Sequence, residues 1–285
     1  MKKVCFLPIL LWCWTLQVFG QELPSELQLS ELSAKASLQQ TIGVTDISLH
    51  YYRPNAKGRR IWGELVPFGE VWRAGANNTS KITFSTAIKV EGKELAAGTY
   101  SLFVIPEVKQ WTFIFNTSPN QFGAFFYTGE SDALKVIVPV EKRKNHQESL
   151  SYQFDNIHLN KGELRLSWGT KEAILHMETS LDELYQHVLD LVKLADEQQN
   201  NTYYTACISW AIDHQHFITE AEQWLAASLA IKPGFGNQLL QCRLWALKKE
   251  YDMANHQLEK LGKEYPQFVT IVSSFKSRWE KEQKL

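Results

Sequence analysis

The chain is short of the features that mark the commoner enzymes and scaffolds. It has four cysteines, and Cys5 and Cys13 fall in an apolar leader, which leaves Cys207 and Cys242 for the body of the protein. Two cysteines do not make a disulfide framework. Both sit in helix-like stretches among apolar neighbours, where free cysteine packs as a small hydrophobe, so they are expected to be unpaired. No HExxH, G-x-S-x-G, Walker loop or CxxC occurs, so the signatures of zinc peptidases, serine hydrolases, P-loop nucleotidases and thiol oxidoreductases are missing. No cofactor is implied. Beyond the leader, no run is long and apolar enough for a stable membrane span. Nor does either charge dominate: with Lys2 and Lys3 set aside, 28 basic residues face 31 acidic ones, which argues against nucleic acid as a partner.

The remaining candidates for chemistry are thin. "DHQH", Asp213 to His216, could set two imidazoles on a metal, but it lies at a break between helices with no obvious third ligand. His50, His146 and His158 are scattered along strand-like or loop segments. Glu64 and Glu70 are six apart in an irregular stretch, and a glycosidase pair is defined by separation across a cleft, which sequence spacing does not show. Sequons at Asn77, Asn78, Asn116 and Asn200 matter only in a glycosylating host.

What is present begins with the leader. Lys2 and Lys3 precede an apolar run from Val4 to Phe19, interrupted by Pro8, Thr15 and Gln17, and Val18 and Gly20 are small enough for cleavage before Gln21. Residues 1–20 are therefore expected to be a signal peptide and the mature chain to be periplasmic or extracellular; an uncleaved anchor is the alternative.

From Ser48 to Met177 the apolar pattern has period two. "KITFSTAIKV", "GTYSLFVIP", "WTFIFN", "LKVIVPV", "SLSYQFDNIHL", "ELRLSWG" and "EAILHME" alternate between turn signals such as Glu91-Gly92 and Asn160-Lys161-Gly162. About eight short strands predict an antiparallel β-sandwich over residues 35–180. Near Ser180 the period becomes helical. Ser180 with Glu183 reads as a capping box before the stripe Leu181, Leu184, Tyr185, Val188, Leu191, Val192. Four or five further helices, broken near Asp213, Pro233, Glu250 and Pro266, predict an all-α domain of helical hairpins over residues 181–285. Ala221, Leu225 and Pro233 recur as Ala254, Leu258 and Pro266, each 33 residues on. "EAEQWLAASLAIKP" and "MANHQLEKLGKEYP" resemble the second helix of a tetratricopeptide repeat. The first-helix positions match poorly, with Cys242 where that family prefers glycine. Plain antiparallel hairpins are the other reading.

One stretch stands apart. "RPNAKGRRIWGELVPFGEVWRAGANN", residues 53–78, holds five basic residues, two tryptophans, four glycines and two prolines. That composition disfavours helix and long strand and predicts rigid, irregular chain with Trp62 and Trp72 largely buried. Together with "ITFS", "EGKELAAGTYSLFVIP" and "WTFIFN", it resembles a bacterial family known as domain of unknown function 2911, over roughly residues 35–180. The resemblance implies an exported protein of Bacteroidetes-type bacteria and a domain without an assigned activity. Asn78 stands where the family often has an acidic residue, so no role can rest on a carboxylate there.

Two functional readings follow. In the first the domain is a non-catalytic binding module for an anionic or sugar-like ligand, held by Arg53, Lys57, Arg59, Arg60, Trp62, Trp72, Arg73 and Asn77, while residues 181–285 contact a protein partner. Arginine forks suit carboxylate or phosphate, and indoles suit a sugar face. In the second the chain is a structural or protein-interaction component of the cell envelope with no small ligand. There Arg53 and Arg73 clamp buried carboxylates such as Glu64 or Glu70, and the tryptophans fill core. An uncharacterised hydrolase is a distant third.

Overall fold

The computed structural model describes residues 31–118 and 122–283. The expected leader, with Cys5 and Cys13, lies outside the described residues. Among the described residues nine strands come first: β1 (Ala34–Ile42), β2 (Thr45–Arg53), β3 (Ser80–Phe84), β4 (Ile88–Val90), β5 (Lys93–Leu95), β6 (Gly98–Pro106), β7 (Gln110–Asn116), β8 (Asp132–His158) and β9 (Lys161–Thr179). Six helices follow: α1 (Leu181–Gln198), α2 (Asn201–His214), α3 (Ile218–Ile231), α4 (Phe235–Leu247), α5 (Tyr251–Glu264) and α6 (Val269–Glu282).

Every pairing between these strands is antiparallel, in the order β1-β2-β3-β6-β7-β8-β9-β4-β5. Strand β1 has no counterpart among the expected strands. "AKASLQQTI" is a polar edge strand whose alternation is weak, and its register opposite β2 is set by the tight hairpin at Gly43. Gly43 has φ +59°, and a Cβ there would lie 2.6 Å from Thr179 Oγ1, so only glycine fits.

"KITFSTAIKV" is not one strand. After Phe84 the chain is turned aside by Asp46, whose amide donates to Ser85 Oγ and whose carbonyl accepts from the Ser85 amide. β4 then pairs with the far end of β9. The reverse happens further on. "LKVIVPV" and "SLSYQFDNIHL" fuse into the 27-residue β8, whose first part pairs with β7 as far as Pro139 and whose second part pairs with β9 from Val140. "ELRLSWG" and "EAILHME" fuse into β9 through Gly169 (φ +61°), which pairs with Gln147 between two shifts of register. A bulge bends a strand and increases its twist without ending it, which turn-residue reasoning cannot distinguish from a turn.

One apolar cluster gathers Ile47, Leu49, Ile82, Leu102, Val104, Phe113, Val136, Leu166 and Leu175 from both halves of the strand order. Among the helices, Ser180 Oγ accepts from the Glu183 amide at 3.1 Å and starts α1. Successive helices pack on one another, and α2 also meets α4. Ala211, Ala221 and Ala254 are fully buried at these approaches. Two helical clusters result, one around Tyr204, Ile208 and Trp224 and one around Leu258, Leu261 and Trp279. Cys207 and Cys242 are buried and unpaired, one in each, and burial pushes their thiols up to about 11 and about 12.

Candidate functional site

Residues 53–78 leave β2 at Pro54 and are laced onto β8. The Leu150 amide donates to Pro54 O (3.0 Å), the Ala56 amide to Glu148 O (2.8 Å), and Ser149 Oγ to Asn55 Oδ1 (2.5 Å). Arg53 uses its Nε on Leu150 O at 3.0 Å. Lys57, with φ +50°, places its amide 2.7 Å from a Glu148 carboxylate oxygen, and that bond holds the carboxyl below its usual range. Arg59 folds back on its own turn, donating to Ala56 O (2.9 Å) and Asn55 O (2.6 Å). Arg60 pairs with Glu64 at 3.3 Å in solvent, where such pairs stabilise little. The carboxylate clamp between Arg53 or Arg73 and Glu64 or Glu70 does not form: Arg53 meets a carbonyl, Glu64 goes to Arg60, and Glu70 is exposed.

The two tryptophans enter the core. Trp62 and Trp72 are each 9% exposed, and their rings contact each other edge-on at 5.6 Å. Trp62 also meets Trp111 (4.3 Å) and Trp168 (6.1 Å), while Trp72 stacks on Trp168 at 6.0 Å. Their indole N–H groups are satisfied by Trp168 O and Gly75 O, both at 3.1 Å. Their faces are therefore committed to packing, and neither is offered to a sugar.

After Trp72 the chain makes a tight turn. Trp72 exchanges two backbone bonds of 2.8 Å with Val104, prolonging the edge of β6 beyond its pairing with β3. Ala74, fully buried, has φ +52°, and Asn77 also has φ +52°. A left-handed conformation costs a non-glycine residue about 1–2 kcal/mol. The surroundings hold it: Ala74 O accepts from Tyr152 Oη and Ser80 Oγ, both at 2.9 Å. Burial keeps the Tyr152 hydroxyl protonated far above its ordinary range. A Cβ on Gly75 would lie 2.8 Å from Ser80 Oγ and 3.2 Å from Tyr52 O. Asn77 Nδ2 donates to Glu31 at 2.6 Å.

Arg73 begins this turn and differs from its neighbours. Its guanidinium makes no hydrogen bond or ion pair with any described residue, and Nε is buried without an acceptor. Burial lowers its affinity for the proton, yet a guanidinium stays charged at any ordinary pH. Strand alternation fixes its side. Trp72 and Val104 share the core, so Arg73 lies on the opposite, outer face of the sheet. Lys81 and His50, paired across β3 and β2 and alternating with the core residues Ile82 and Leu49, lie on that face too. Between them and Lys35 a cavity of about 430 Å³ opens, lined also by Ser37, Tyr52, Asn78 and Thr79. Lys35 sits 5.8 Å over the Tyr52 ring and pairs with Glu31 at 3.3 Å.

A family model described as "Protein of unknown function (DUF2911)" matches residues 33–177. The chain belongs to this family. No curated protein and no solved structure matches it. The DUF2911 region holds all nine strands save the last two residues of β9, together with the whole 53–78 segment; the helices follow it.

Within the DUF2911 region the eight residues singled out from the sequence are not brought together. Arg53 and Lys57 serve the seam with β8, Arg59 closes its own turn on Asn55 and Ala56, Arg60 faces solvent, Trp62 and Trp72 are core, and Arg73 with Asn77 belongs to the turn beside the cavity. Sequence reasoning missed Tyr152, Trp168 and Glu148, each about 70 residues or more away, and the cavity cations Lys35, His50 and Lys81. Only the strand register, which puts Ser37, His50 and Lys81 side by side, could have found the last group. The "DHQH" residues are otherwise employed: Asp213 pairs with Arg243, His214 Nδ1 meets Trp210 O, and His216 stacks on Tyr185 at 4.0 Å. Among the described residues no cluster of His, Cys, Asp and Glu could hold a metal, and no helix is long and apolar enough to cross a membrane.

Proposed function

We propose that the DUF2911 domain is a non-catalytic binding module for an anion or an acidic sugar, taken on the outer face beside the 73–77 turn. One observation carries the reading: Arg73 is a partly buried cation without an acid partner among the described residues, on the same face as the cavity lined by Lys35, His50 and Lys81. An orphaned buried donor costs about 1–3 kcal/mol, and an anion that supplies its acceptor recovers that cost on binding. In this reading the leader at residues 1–20 exports the chain to the periplasm or beyond, the bent β8 closes the strands into a sandwich, and residues 181–285 form tetratricopeptide-like hairpins that meet a protein partner. Contact between α2 and α4, beyond the hairpin pairs, is what stacked repeats require.

A second reading is favoured by a different observation. Arg53, Arg59, Trp62 and Trp72 all satisfy the domain's own groups, as they would in an envelope component without a ligand. Thermal melts of the chain with phosphate, sulfate and glucuronate separate the two, since a ligand of the folded state raises the midpoint by mass action. The binding reading expects a rise in the parent that is lost in Arg73→Ala. No rise with any of the three anions would leave the structural reading in its place.

A further inference from the structure

Two donors beside the cavity, Lys35 and Asn77, are already held by a carboxylate of the chain itself. Glu31 meets Lys35 Nζ with one oxygen (3.3 Å) and accepts from Asn77 Nδ2 with the other (2.6 Å). The Lys35 bond alone would be an ordinary exposed pair. The second bond crosses 46 positions of sequence to a side chain whose backbone is fixed: Asn77 has φ +52°, and its carbonyl accepts from the Gly123 amide at 3.2 Å. Lys35 lines the cavity from β1, and Asn77 belongs to the turn that Arg73 begins, so the carboxylate joins the two sides of the proposed site. Packing does not hold it there. Leu32 beside it is 90% exposed, and pairing of β1 with β2 begins only at Ala34. Exposed contacts of this kind stabilise a fold little, so this one can open at little cost to the sheet.

We infer that Glu31 is a tethered stand-in for the anion: its carboxylate occupies the Lys35 and Asn77 donors in the free protein and is displaced when an oxyanion binds beside the 73–77 turn. The inference rests on the reading of that face as an anion site and adds its regulation. A carboxylate on the chain and a carboxylate, sulfate or phosphate in solution offer the donors the same chemistry, acceptor oxygens that carry negative charge. The Glu31 carboxylate raises Lys35 above its usual range, so the lysine is charged when the exchange takes place. Glu31 leaves one group of the site unmatched, since Arg73 makes no ion pair with any described residue. An anion that reaches Arg73 as well gains a bond that the stand-in does not make. Occupation by Glu31 therefore sets a threshold: a site blocked for about 70–90% of the time binds every ligand about three- to ten-fold more weakly than an open one.

Thermal melts of the chain at rising glucuronate and at rising sulfate give an apparent dissociation constant for each, because the midpoint climbs with ligand by mass action. The response of Arg73→Ala is subtracted, since sulfate also stabilises folded chains by exclusion from their surface. Glu31→Ala should tighten both constants by about three- to ten-fold. Without anion its midpoint should stay close to the parent's, because the pair it removes is exposed. Comparing the two gains separates displacement from repulsion. Blocking weakens every ligand by one common factor, whereas repulsion at a distance grows with the charge of the ligand, single on glucuronate and double on sulfate. Equal gains support the stand-in. A gain about twice as large for sulfate on a logarithmic scale overturns it in favour of repulsion. A Glu31→Ala variant that melts far below the parent without anion also overturns it, because Glu31 would then be a structural tie. Constants unchanged by Glu31→Ala, with the response still lost in Arg73→Ala, overturn the stand-in and keep the anion site. No response to either anion in the parent or in Glu31→Ala removes both.

Discussion

Replacing Arg73 with methionine distinguishes a binding group from a clamp by the sign of the effect. A guanidinium locked to a buried carboxylate is costly to remove: cutting one partner of such a pair destabilises by about 3–5 kcal/mol, because the other charge is left behind. Arg73 has no such partner among the described residues, and its Nε lies buried without an acceptor. Methionine keeps the length and apolar stem while deleting the orphan donor and the charge. Relief of one unsatisfied buried donor is worth about 1–3 kcal/mol, offset in part by any loss of packing. The expected outcome of Arg73→Met is thus stability equal to the parent or up to about 3 kcal/mol greater. In a domain of this size each kcal/mol moves the midpoint by roughly 2–4 °C. Urea unfolding followed by tryptophan fluorescence measures it, since Trp62, Trp72, Trp111 and Trp168 form one cluster that reports the region. The same variant should lose the stabilisation by anion that the parent shows, which at a hundred times the dissociation constant amounts to about 2.7 kcal/mol. A loss of about 3 kcal/mol or more from Arg73→Met alone would refute the reasoning, because it would require a charge partner for Arg73.

Other outcomes follow from particular contacts. Trp62→Ala should cost about 3–5 kcal/mol in the same urea assay, since it removes a ring packed on three other tryptophans and a buried indole bond; a loss below about 1 kcal/mol would mean the cluster is not core. Cys207 and Cys242, with thiols pushed up to about 11 and about 12 by burial, should resist alkylation at pH 8 in the folded chain and react on unfolding; rapid native labelling of either contradicts the packing. Burial alone would raise the Asp132 carboxyl, but hydrogen bonds from Lys135, Tyr127 and Asn116 outweigh it and hold it below its ordinary value of 3.8. The unfolded state then binds the proton more readily, so this contribution is present above pH 3.8 and is lost as pH falls through the lower folded value. Asp132→Asn should flatten the fall of stability with acid below about pH 4, and an unchanged acid limb would show that the network adds nothing.

Some of this was legible in the sequence. The change of period at Ser180 marks where β9 gives way to α1, because helical and strand periodicities cannot both be met by one apolar pattern. The capping serine, the helix breaks at Pro233 and Pro266 and the two unpaired cysteines were also within reach, each set by local chemistry. Strand counts were not. Glycine at 169 bends a strand that turn chemistry would end, and Ser85 and Asp46 split a segment whose alternation runs on unbroken. The site was least legible of all. In residues 53–78 Arg53, Arg59 and Arg73 look alike, and what separates them is whether a carbonyl from residues 55, 56 or 150 is within reach. That is a property of the folded chain.

The cost concentrated at the 73–77 turn bears on why Arg73 stands there. Space alone would be filled as well by an unbranched apolar side chain, which needs no acceptor and leaves no charge in a half-buried place. The turn instead combines a guanidinium unmatched by any described residue with two non-glycine residues in the left-handed region, Ala74 and Asn77. It then fixes that arrangement with two hydroxyl bonds to one carbonyl and with a glycine that has no room for a Cβ. These ties come from β8 and β3, so the position of the backbone below Arg73 is determined by the sheet itself. Backbone strain persists only where the surroundings over-determine it, and such places cluster where geometry must be set before a ligand arrives. A filler would not need its backbone held from two strands. A recognition group would, because affinity is lost when a charged side chain must be ordered at the moment of binding. The strain and the orphan charge have a common explanation if the turn presents Arg73 in advance to an anion on the outer face, and Gly75→Ala tests that link. A Cβ 2.8 Å from Ser80 Oγ should displace the turn, so the variant should lose the anion response of the melt while Arg73 itself remains in the sequence. An undiminished anion response in Gly75→Ala would separate the strain from the binding and leave the turn without a role in it.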